Sequence, residues 1–189
     1  MMTQSGTRHD PVSNVDNIIV IARSARLILR IPTLQDIAPE LELVKSTRGR
    51  FFNFPLPEVH VRTALVSYLD HWGKRGFGAC TIECADTGAY LGGVGVRHPD
   101  PADEPKLMWH LAEAAEGRGI AYEAMTLLLP LVWEWTGYDS AVAEISPDND
   151  RSIKLARRFG AQHDGHVTLP SHGHCEIWRF RPSTSKNVT

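Results

Sequence analysis

Stretches in which apolar residues dominate or alternate with polar ones predict the β-strands of this chain. The clearest is Arg26-Leu27-Ile28-Leu29-Arg30-Ile31, where charged residues interrupt an apolar run. Similar stretches predict further strands over 77–84, 90–97, 106–111, 141–145, 166–169 and 175–181. Elsewhere, apolar residues recur at helical spacing, which predicts helices over 36–44, 58–74, 119–135 and 147–159. Pro130 is expected to kink the third of these helices or cut it short.

The order of these elements predicts one mixed α/β domain over residues 26–182, with the sequence β-α-α-β-β-β-α-β-α-β-β. A length of 189 residues suits one domain with a sizeable core. We expect residues 1–25 to be a flexible leader and residues 183–189 a disordered tail. Asp86-Thr87-Gly88 supplies the turn chemistry of a hairpin between the second and third predicted strands.

Composition and charge exclude several classes of protein. The net charge is −2 with histidine neutral, so the whole molecule carries no field that would attract nucleic acid or a membrane. No apolar run approaches the ~18 residues of a membrane span. The cysteines, Cys80, Cys84 and Cys175, are odd in number and lack zinc-type spacing, which favours a reducing, cytoplasmic setting.

The segment 115–124 carries the strongest chemical signal. Gly117 and Gly119 flank Arg118, a predicted strand precedes them, and a predicted helix follows. Such a turn gathers backbone N–H groups at a helix N-terminus, where the helix dipole and Arg118 add positive charge. This arrangement favours an anion, in particular a phosphate or pyrophosphate, although the same residues could form a simple tight loop. The turn lacks the lysine of a phosphate-binding P-loop and the third glycine of a dinucleotide fingerprint.

Histidines near the C-terminus raise the question of a metal. His163, His166, His172 and His174 lie close to Cys175, but their spacings match no closed zinc motif. We therefore predict no metal site.

Taken together, the motifs resemble those of the GNAT family of N-acetyltransferases, in particular its ribosomal-protein N-terminal acetyltransferase branch. The opening strand has the Arg-Leu-x-Leu-Arg pattern of that branch, followed by Asp36. The Gly-Lys/Arg-Gly-Tyr/Ile-Ala-x-Glu-Ala segment is matched over 117–124. The downstream Pro-x-Asn-x-x-Ser pattern is matched by Pro147, Asn149 and Ser152, and its helix ends at Gly160.

The resemblance implies a GNAT fold in which a central pair of strands splays apart to admit acetyl-CoA, a co-substrate. No metal is implied. Backbone N–H groups of the glycine turn would hold the pyrophosphate, the edge of the 109–111 strand would pair with the pantetheine arm, and Asn149 and Ser152 would lie near the pantetheine and the sulfur. The predicted acetyl-CoA site thus comprises Trp109, Leu111, Gly117, Arg118, Gly119, Ile120, Ala121, Asn149 and Ser152.

The transfer also needs a base, because only a neutral amine attacks a thioester. Glu144 is the first candidate, although it could equally be a solvent-facing or salt-bridged strand residue. His110 is the second candidate, and alternation places it on the face opposite Trp109; a satisfied core or surface histidine is the alternative. Ser152 could serve the leaving sulfur, or it could support a helix start capped by Asp148 or Asn149.

The expected acceptor is an amine, either a protein or peptide N-terminus or a small metabolite or antibiotic. Phe51, Phe52 and Phe54 are predicted to border its groove, with core packing as the alternative. A non-catalytic acyl-CoA-binding module is a rival function. It is favoured by Glu116, which stands where the family often has Gln or Arg and which we expect to face solvent. The oligomeric state stays open, a homodimer being one option.

Overall fold

In a computed structural model of the protein, the described residues are 18–51, 58–98, 100, 103–170 and 173–182. Within them the strands are β1 (Val20–Arg23), β2 (Leu27–Arg30), β3 (Ala79–Cys84), β4 (Tyr90–Arg97), β5 (Lys106–Leu111), β6 (Ala141–Ile145), β7 (Gln162–Leu169) and β8 (Gly173–Phe180). The α-helices are α1 (Ile37–Lys45), α2 (Glu58–Arg75), α3 (Ile120–Thr136) and α4 (Asp150–Arg158). Short 3-10 turns cover Leu34–Asp36, Thr47–Phe51 and Glu113–Ala115.

All eight strands form one mixed sheet in the order β1-β2-β3-β4-β5-β6-β8-β7. Neighbouring strands are antiparallel except for β5 and β6, which are parallel and are joined through α3. Their described residues form one register pair, Lys106↔Val142, whereas β4 and β5 pair along six positions. The predicted α/β fold with a splayed central strand pair is therefore confirmed.

The main core lies between one face of the sheet and the helices α3 and α4, which cover that face. The fully or nearly fully buried positions of α3 form a helical stripe: Ile120, Ala124, Met125, Leu128 and Val132. On the opposite face, α1 and α2 enclose a smaller cluster made by Ile37, Leu43, Val44, Val61 and Leu65. Apolar burial of this extent is the dominant stabilising contribution to folding. The two faces of β5 consequently meet different helices.

Three secondary-structure predictions need correction. Residues 20–23 of the predicted leader form β1, which pairs with β2 and extends the sheet. Of the two alternatives predicted for Pro130, cutting the helix short is wrong: α3 continues to Thr136, with Pro130 exposed and Leu128 and Val132 on either side buried in the core. A kink at Pro130 stays a prediction. The strand β7 begins at Gln162, ahead of the predicted start at His166. Its first residues are polar and give no apolar strand pattern, but they pair with β8.

A buried ion pair ties the beginning of α1 to the sheet. Arg30 Nη2 lies 2.7 Å from Asp36 Oδ1, and the two residues are 6% and 4% exposed. Glu83 accepts from Arg30 Nε at 2.6 Å, and the Thr81 hydroxyl donates to Asp36 at 2.9 Å. Burial raises the pKa of Asp36, but the hydrogen bonds it accepts, led by those from Arg30, outweigh burial and lower it overall. Because Asp36 directly precedes α1, this network fixes Glu40, one turn later, against the sheet.

Candidate active site

Among the described residues, the edge of β5 that faces β6 pairs with no strand beyond Lys106↔Val142. The N–H of Val142 donates to the carbonyl of Pro105 at 2.9 Å, so the backbone of Pro105 points toward β6. Backbone groups of successive strand residues point to opposite edges, and Trp109 and Leu111 therefore also point toward β6. The two strands have diverged at that level, since their described pairing consists of Lys106↔Val142. This edge can hydrogen-bond an extended, amide-bearing ligand.

The glycine turn lies where this gap reaches the start of α3. Gly117 and Gly119 have φ of 70° and 76°, and Gly119 is the N-cap of α3. A side chain added at either glycine would meet no protein atom within 4 Å, so the surface above both is open. The first N–H groups of α3 have no partner within the helix, and the exposed Arg118 adds a full positive charge. The local structure is thus suited to an anion.

Two residues from outside the segment 115–124, Ser24 and Arg26, brace this turn. Arg26 Nε donates to Glu123 Oε2 at 2.8 Å, and the Ser24 hydroxyl donates to Glu123 Oε1 at 2.5 Å. Arg26 Nη1 also donates to the carbonyl of Arg118 at 3.4 Å. Burial raises the pKa of Glu123, but the bonds from Arg26 and Ser24 outweigh it and lower the pKa overall. The segment that connects β1 with β2 therefore holds the first turn of α3 in place.

Contrary to expectation, Glu116 does not point freely into solvent. Its side chain is 20% exposed and forms an ion pair with Arg151, the second residue of α4. The acidic residue that departs from the family pattern is consequently neutralised by a cation from another helix. Sequence separation hides this pairing, because the two residues lie 35 positions apart.

Trp109, Asn149 and Ser152 come together at the beginning of α4. Trp109 Nε1 donates to Ser152 Oγ at 3.2 Å. Asn149 is the N-cap of α4, and its side chain accepts from the N–H of Ser152 at 3.2 Å. The helix-capping alternative is confirmed for Asn149. The same geometry also places the Ser152 hydroxyl beside β5, so capping and a role at the site are compatible.

Glu144 lies on the α1 and α2 face of the sheet, opposite to Ala143 and Ile145, which pack into the main core. Its carboxylate accepts from Lys106 Nζ at 2.7 Å, and its side chain is 22% exposed. The structure thus bears out the salt-bridged alternative for its local environment. The pair bridges β5 and β6 diagonally, because Lys106 is in register with Val142, two residues before Glu144.

His110 also lies on the α1 and α2 face, opposite to Trp109 as alternation predicts. Its Nε2 is 3.1 Å from either carboxylate oxygen of Glu40 and 3.2 Å from the Tyr90 hydroxyl, which also contacts Glu40. His110 and Glu40 side chains are 9% and 21% exposed. Together with Tyr68 and Met108, the three residues border a cavity of about 30 Å³.

The charge states of this cluster follow from its burial and hydrogen bonds. Burial raises the pKa of Glu40, but the charge and hydrogen bond of His110 and the hydrogen bond of Tyr90 outweigh it and lower the pKa. Burial, with the nearby Glu40 carboxylate, raises the pKa of Tyr90 well above its ordinary value. Glu40 is therefore ionised and Tyr90 neutral near pH 7. The sequence pattern singles out neither Glu40 nor Tyr90, because each looks like an ordinary residue of a helix or a strand and belongs to no motif.

The predicted acceptor loop is only partly described. Phe51 is half-buried at the end of the Thr47–Phe51 turn, and Phe52 and Phe54 lie outside the described residues. The predicted role of all three at an acceptor groove stays a prediction.

The C-terminal histidines pack against one another at the β7 edge of the sheet, His163 edge-on to His166 and His166 stacked on His174. The ring centroids of His163 and His166 are 4.8 Å apart, and those of His166 and His174 are 4.9 Å apart; His172 lies outside the described residues. Among the described residues, no group of three or more His, Cys, Asp or Glu side chains is arranged to hold a metal ion. In the same part of the chain, no helix has both the length and the apolarity to span a membrane.

Comparison with known proteins places this geometry in context. A family model described as an acetyltransferase (GNAT) domain matches residues 26–162. An acetyltransferase from Agrobacterium tumefaciens is 26% identical, with a TM-score of 0.76 over 93% of this chain and 99% of that one. An apo ribosomal-protein alpha-N-acetyltransferase is 16% identical, with a TM-score of 0.72 over 92% and 100% of the two chains. An acetyltransferase from Salmonella typhimurium that modifies the N-terminal serine of a 50S ribosomal subunit protein is 16% identical, with a TM-score of 0.70 over 84% and 96%.

Proposed function

The chain belongs to the GNAT acetyltransferase family, and on that premise we propose that it moves an acetyl group from acetyl-CoA to a primary amine. One observation carries the proposal: the gap between β5 and β6 leads to the open glycine turn at the N-terminus of α3. In the described part of the sheet, a strand edge without a partner strand and an anion site thus lie in succession. Acetyl-CoA offers amides and a pyrophosphate in that same succession.

The residues present fit this co-substrate. The N–H groups of Gly117, Arg118, Gly119, Ile120 and Ala121 would hold the pyrophosphate, and the absence of a Cβ at both glycines lets phosphate oxygens approach the backbone. Trp109 and Leu111 would pair with the pantetheine amides through their β6-facing backbone groups. One of their N–H groups would also stabilise negative charge developing on the thioester carbonyl oxygen.

The side chains near the gap would manage protons. Ser152, held beside β5 by its contact with Trp109, would donate a hydrogen bond to the departing sulfur. Asn149 would lie next to the pantetheine while it caps α4. The side chains of Glu144 and His110 both lie on the face of the sheet that α1 and α2 cover. Either would accept the proton that the amine loses on attack.

We infer that the acceptor is a peptide or protein N-terminal amine. A peptide α-amino group has a pKa near ~8 and a lysine amine near ~10.4, so more of the former is neutral at pH 7. The segment 50–57, Arg-Phe-Phe-Asn-Phe-Pro-Leu-Pro, contains no acidic residue that would recognise a polycationic antibiotic. The Salmonella typhimurium protein of similar fold, which modifies an N-terminal serine, gives this acceptor class further support. A small amine metabolite is the alternative.

A thiol-release assay with acetyl-CoA tests the proposal. The acceptors are an N-terminally free peptide, the same peptide blocked at its N-terminus but carrying a lysine, and an aminoglycoside. We expect CoA release with the free peptide. Preference for the lysine or the aminoglycoside would reject the acceptor but keep the reaction. Acetyl-CoA binding by calorimetry without release for any amine would favour the rival function, a non-catalytic acyl-CoA-binding module.

A further inference from the structure

Resting on the proposed function, we propose that Glu40, Tyr90 and His110 form the proton relay for the acceptor amine, with His110 as the base. The three side chains come from α1, β4 and β5 and converge on one point beneath the α1 and α2 face. Burying a carboxylate and an imidazole in contact is costly unless each has satisfied its hydrogen-bonding groups. Here each of the three is hydrogen-bonded to the other two.

The hydrogen bonds assign the proton on the imidazole. Because the Glu40 carboxylate is ionised, it can only accept, and His110 Nε2 at 3.1 Å must therefore donate to it. With Nε2 donating, Nδ1 is the ring atom that can accept a second proton. A carboxylate that orients an imidazole and stabilises its protonated form is the same device that activates the base of a catalytic triad. The Tyr90 hydroxyl, neutral near pH 7, holds the carboxylate in place.

Position favours His110 over Glu144 as the base. His110 stands between Trp109 and Leu111, whose backbone groups face the gap in which the thioester would lie. Glu144 is instead engaged by Lys106, and in the parallel Lys106↔Val142 register it stands level with Met108, two residues before His110. Two residues of strand separate the level of Glu144 from that of His110, which amounts to about 7 Å along β5. The reacting carbon would thus lie closer to the open end of the gap, beside His110.

The proposed step balances as follows. The amine nitrogen forms a bond to the thioester carbonyl carbon, the carbon–sulfur bond breaks, and the electron pair of that bond leaves on sulfur. The proton lost by the nitrogen moves to His110 Nδ1, and the imidazolium is stabilised by Glu40, which stays ionised. The cavity of about 30 Å³ bordered by the three residues has room for roughly one water molecule, through which the proton can pass to solvent. The sulfur takes a proton from solvent, so the products are the amide and the free thiol.

The other titratable groups that face this cavity do not compete near neutral pH. From α2, burial followed by the charge of Glu40 raises the pKa of Tyr68 to about 12. From β3, burial raises the pKa of Cys80 to about 12. At the start of α1, Asp36 is held ionised by Arg30.

The test compares kcat across pH for the wild type and for His110→Gln, Glu40→Gln and Tyr90→Phe, with acetyl-CoA affinity measured by calorimetry. We expect His110→Gln to lower kcat roughly 100-fold while acetyl-CoA affinity stays within about twofold. In Glu40→Gln the imidazolium loses its anionic partner, so the acid limb of kcat should move to lower pH by about one unit. In Tyr90→Phe the carboxylate loses a donor and attracts the proton more strongly, so the limb should move to higher pH.

Glu42→Gln is the matched control. Glu42 lies on the same helix as Glu40, but its side chain is 79% exposed, and we expect its kcat to stay within about twofold of wild type. The position of a pH limb does not depend on how much enzyme is folded, so a destabilised variant still gives an answer. Three outcomes would overturn the relay but leave acetyl transfer standing. They are near wild-type kcat in His110→Gln, an unmoved acid limb of the kcat profile in Glu40→Gln, and a larger loss of kcat in Glu144→Gln than in His110→Gln. A wild type that binds acetyl-CoA and acetylates no amine would overturn both.

Discussion

Gly119→Ala probes the glycine turn with the smallest available change. The new Cβ would meet no protein atom within 4 Å, so the variant incurs no steric clash within the protein. Its cost is conformational, because φ at Gly119 is 76° and a left-handed conformation costs an L-residue about 1–2 kcal/mol. Against a typical stability of ~5–15 kcal/mol the variant stays folded. For a chain of this size, its melting temperature should fall by roughly 2–8 °C.

The effect on the ligand should be larger and separable. The added methyl group occupies the space through which a phosphate oxygen reaches the backbone N–H groups, and losing one hydrogen bond to a charged group costs about 1.5–3 kcal/mol. We therefore expect acetyl-CoA to bind at least about tenfold more weakly. Gly137→Ala is the matched control at the other end of α3, with φ of 69° and no protein atom within 4 Å of its added Cβ.

Calorimetric titration and thermal melting on both glycine variants decide the matter. Both should lose similar thermal stability, and Gly119→Ala alone should lose affinity for acetyl-CoA. Equal affinity in the two folded variants would refute the placement of the pyrophosphate at this turn.

Two further predictions concern residues around the gap. Ser152→Ala should lower kcat more than it raises KM for acetyl-CoA, because a contact with sulfur strengthens as negative charge develops on that atom. A changed melting temperature with unchanged kcat would restrict Ser152 to a structural role. Arg151→Gln should weaken acetyl-CoA binding about threefold to fivefold, because it removes the positive charge that pairs with the Glu116 carboxylate beside the phosphate site. Calorimetry should show that adding Glu116→Gln restores the affinity, and a double variant as weak as Arg151→Gln would contradict this electrostatic explanation.

Periodicity in the sequence was sufficient to predict most elements of the fold. The alternation around Leu27 and Leu29 and the stripe of α3 reflect which side chains must leave water, a requirement that acts over a few neighbouring residues. Backbone chemistry is equally local: Gly117, Gly119 and the N-cap Asn149 all adopt the roles that their residue types favour. Elements held mainly by partners escaped prediction, as in β1 and the polar beginning of β7, because pairing with a neighbouring strand is not encoded in their own pattern.

Only the tertiary structure decided which charges meet. Glu40 and His110 lie 70 positions apart and become neighbours because the Arg30–Asp36 pair holds α1 against the sheet. The pairing of Glu116 with Arg151 depends on α4 lying beside the glycine turn. The sequence alone determined which residue types are available and on which face of its own element each lies. Contacts between elements are set by packing of the whole core, and the electrostatics of the site follow from that packing.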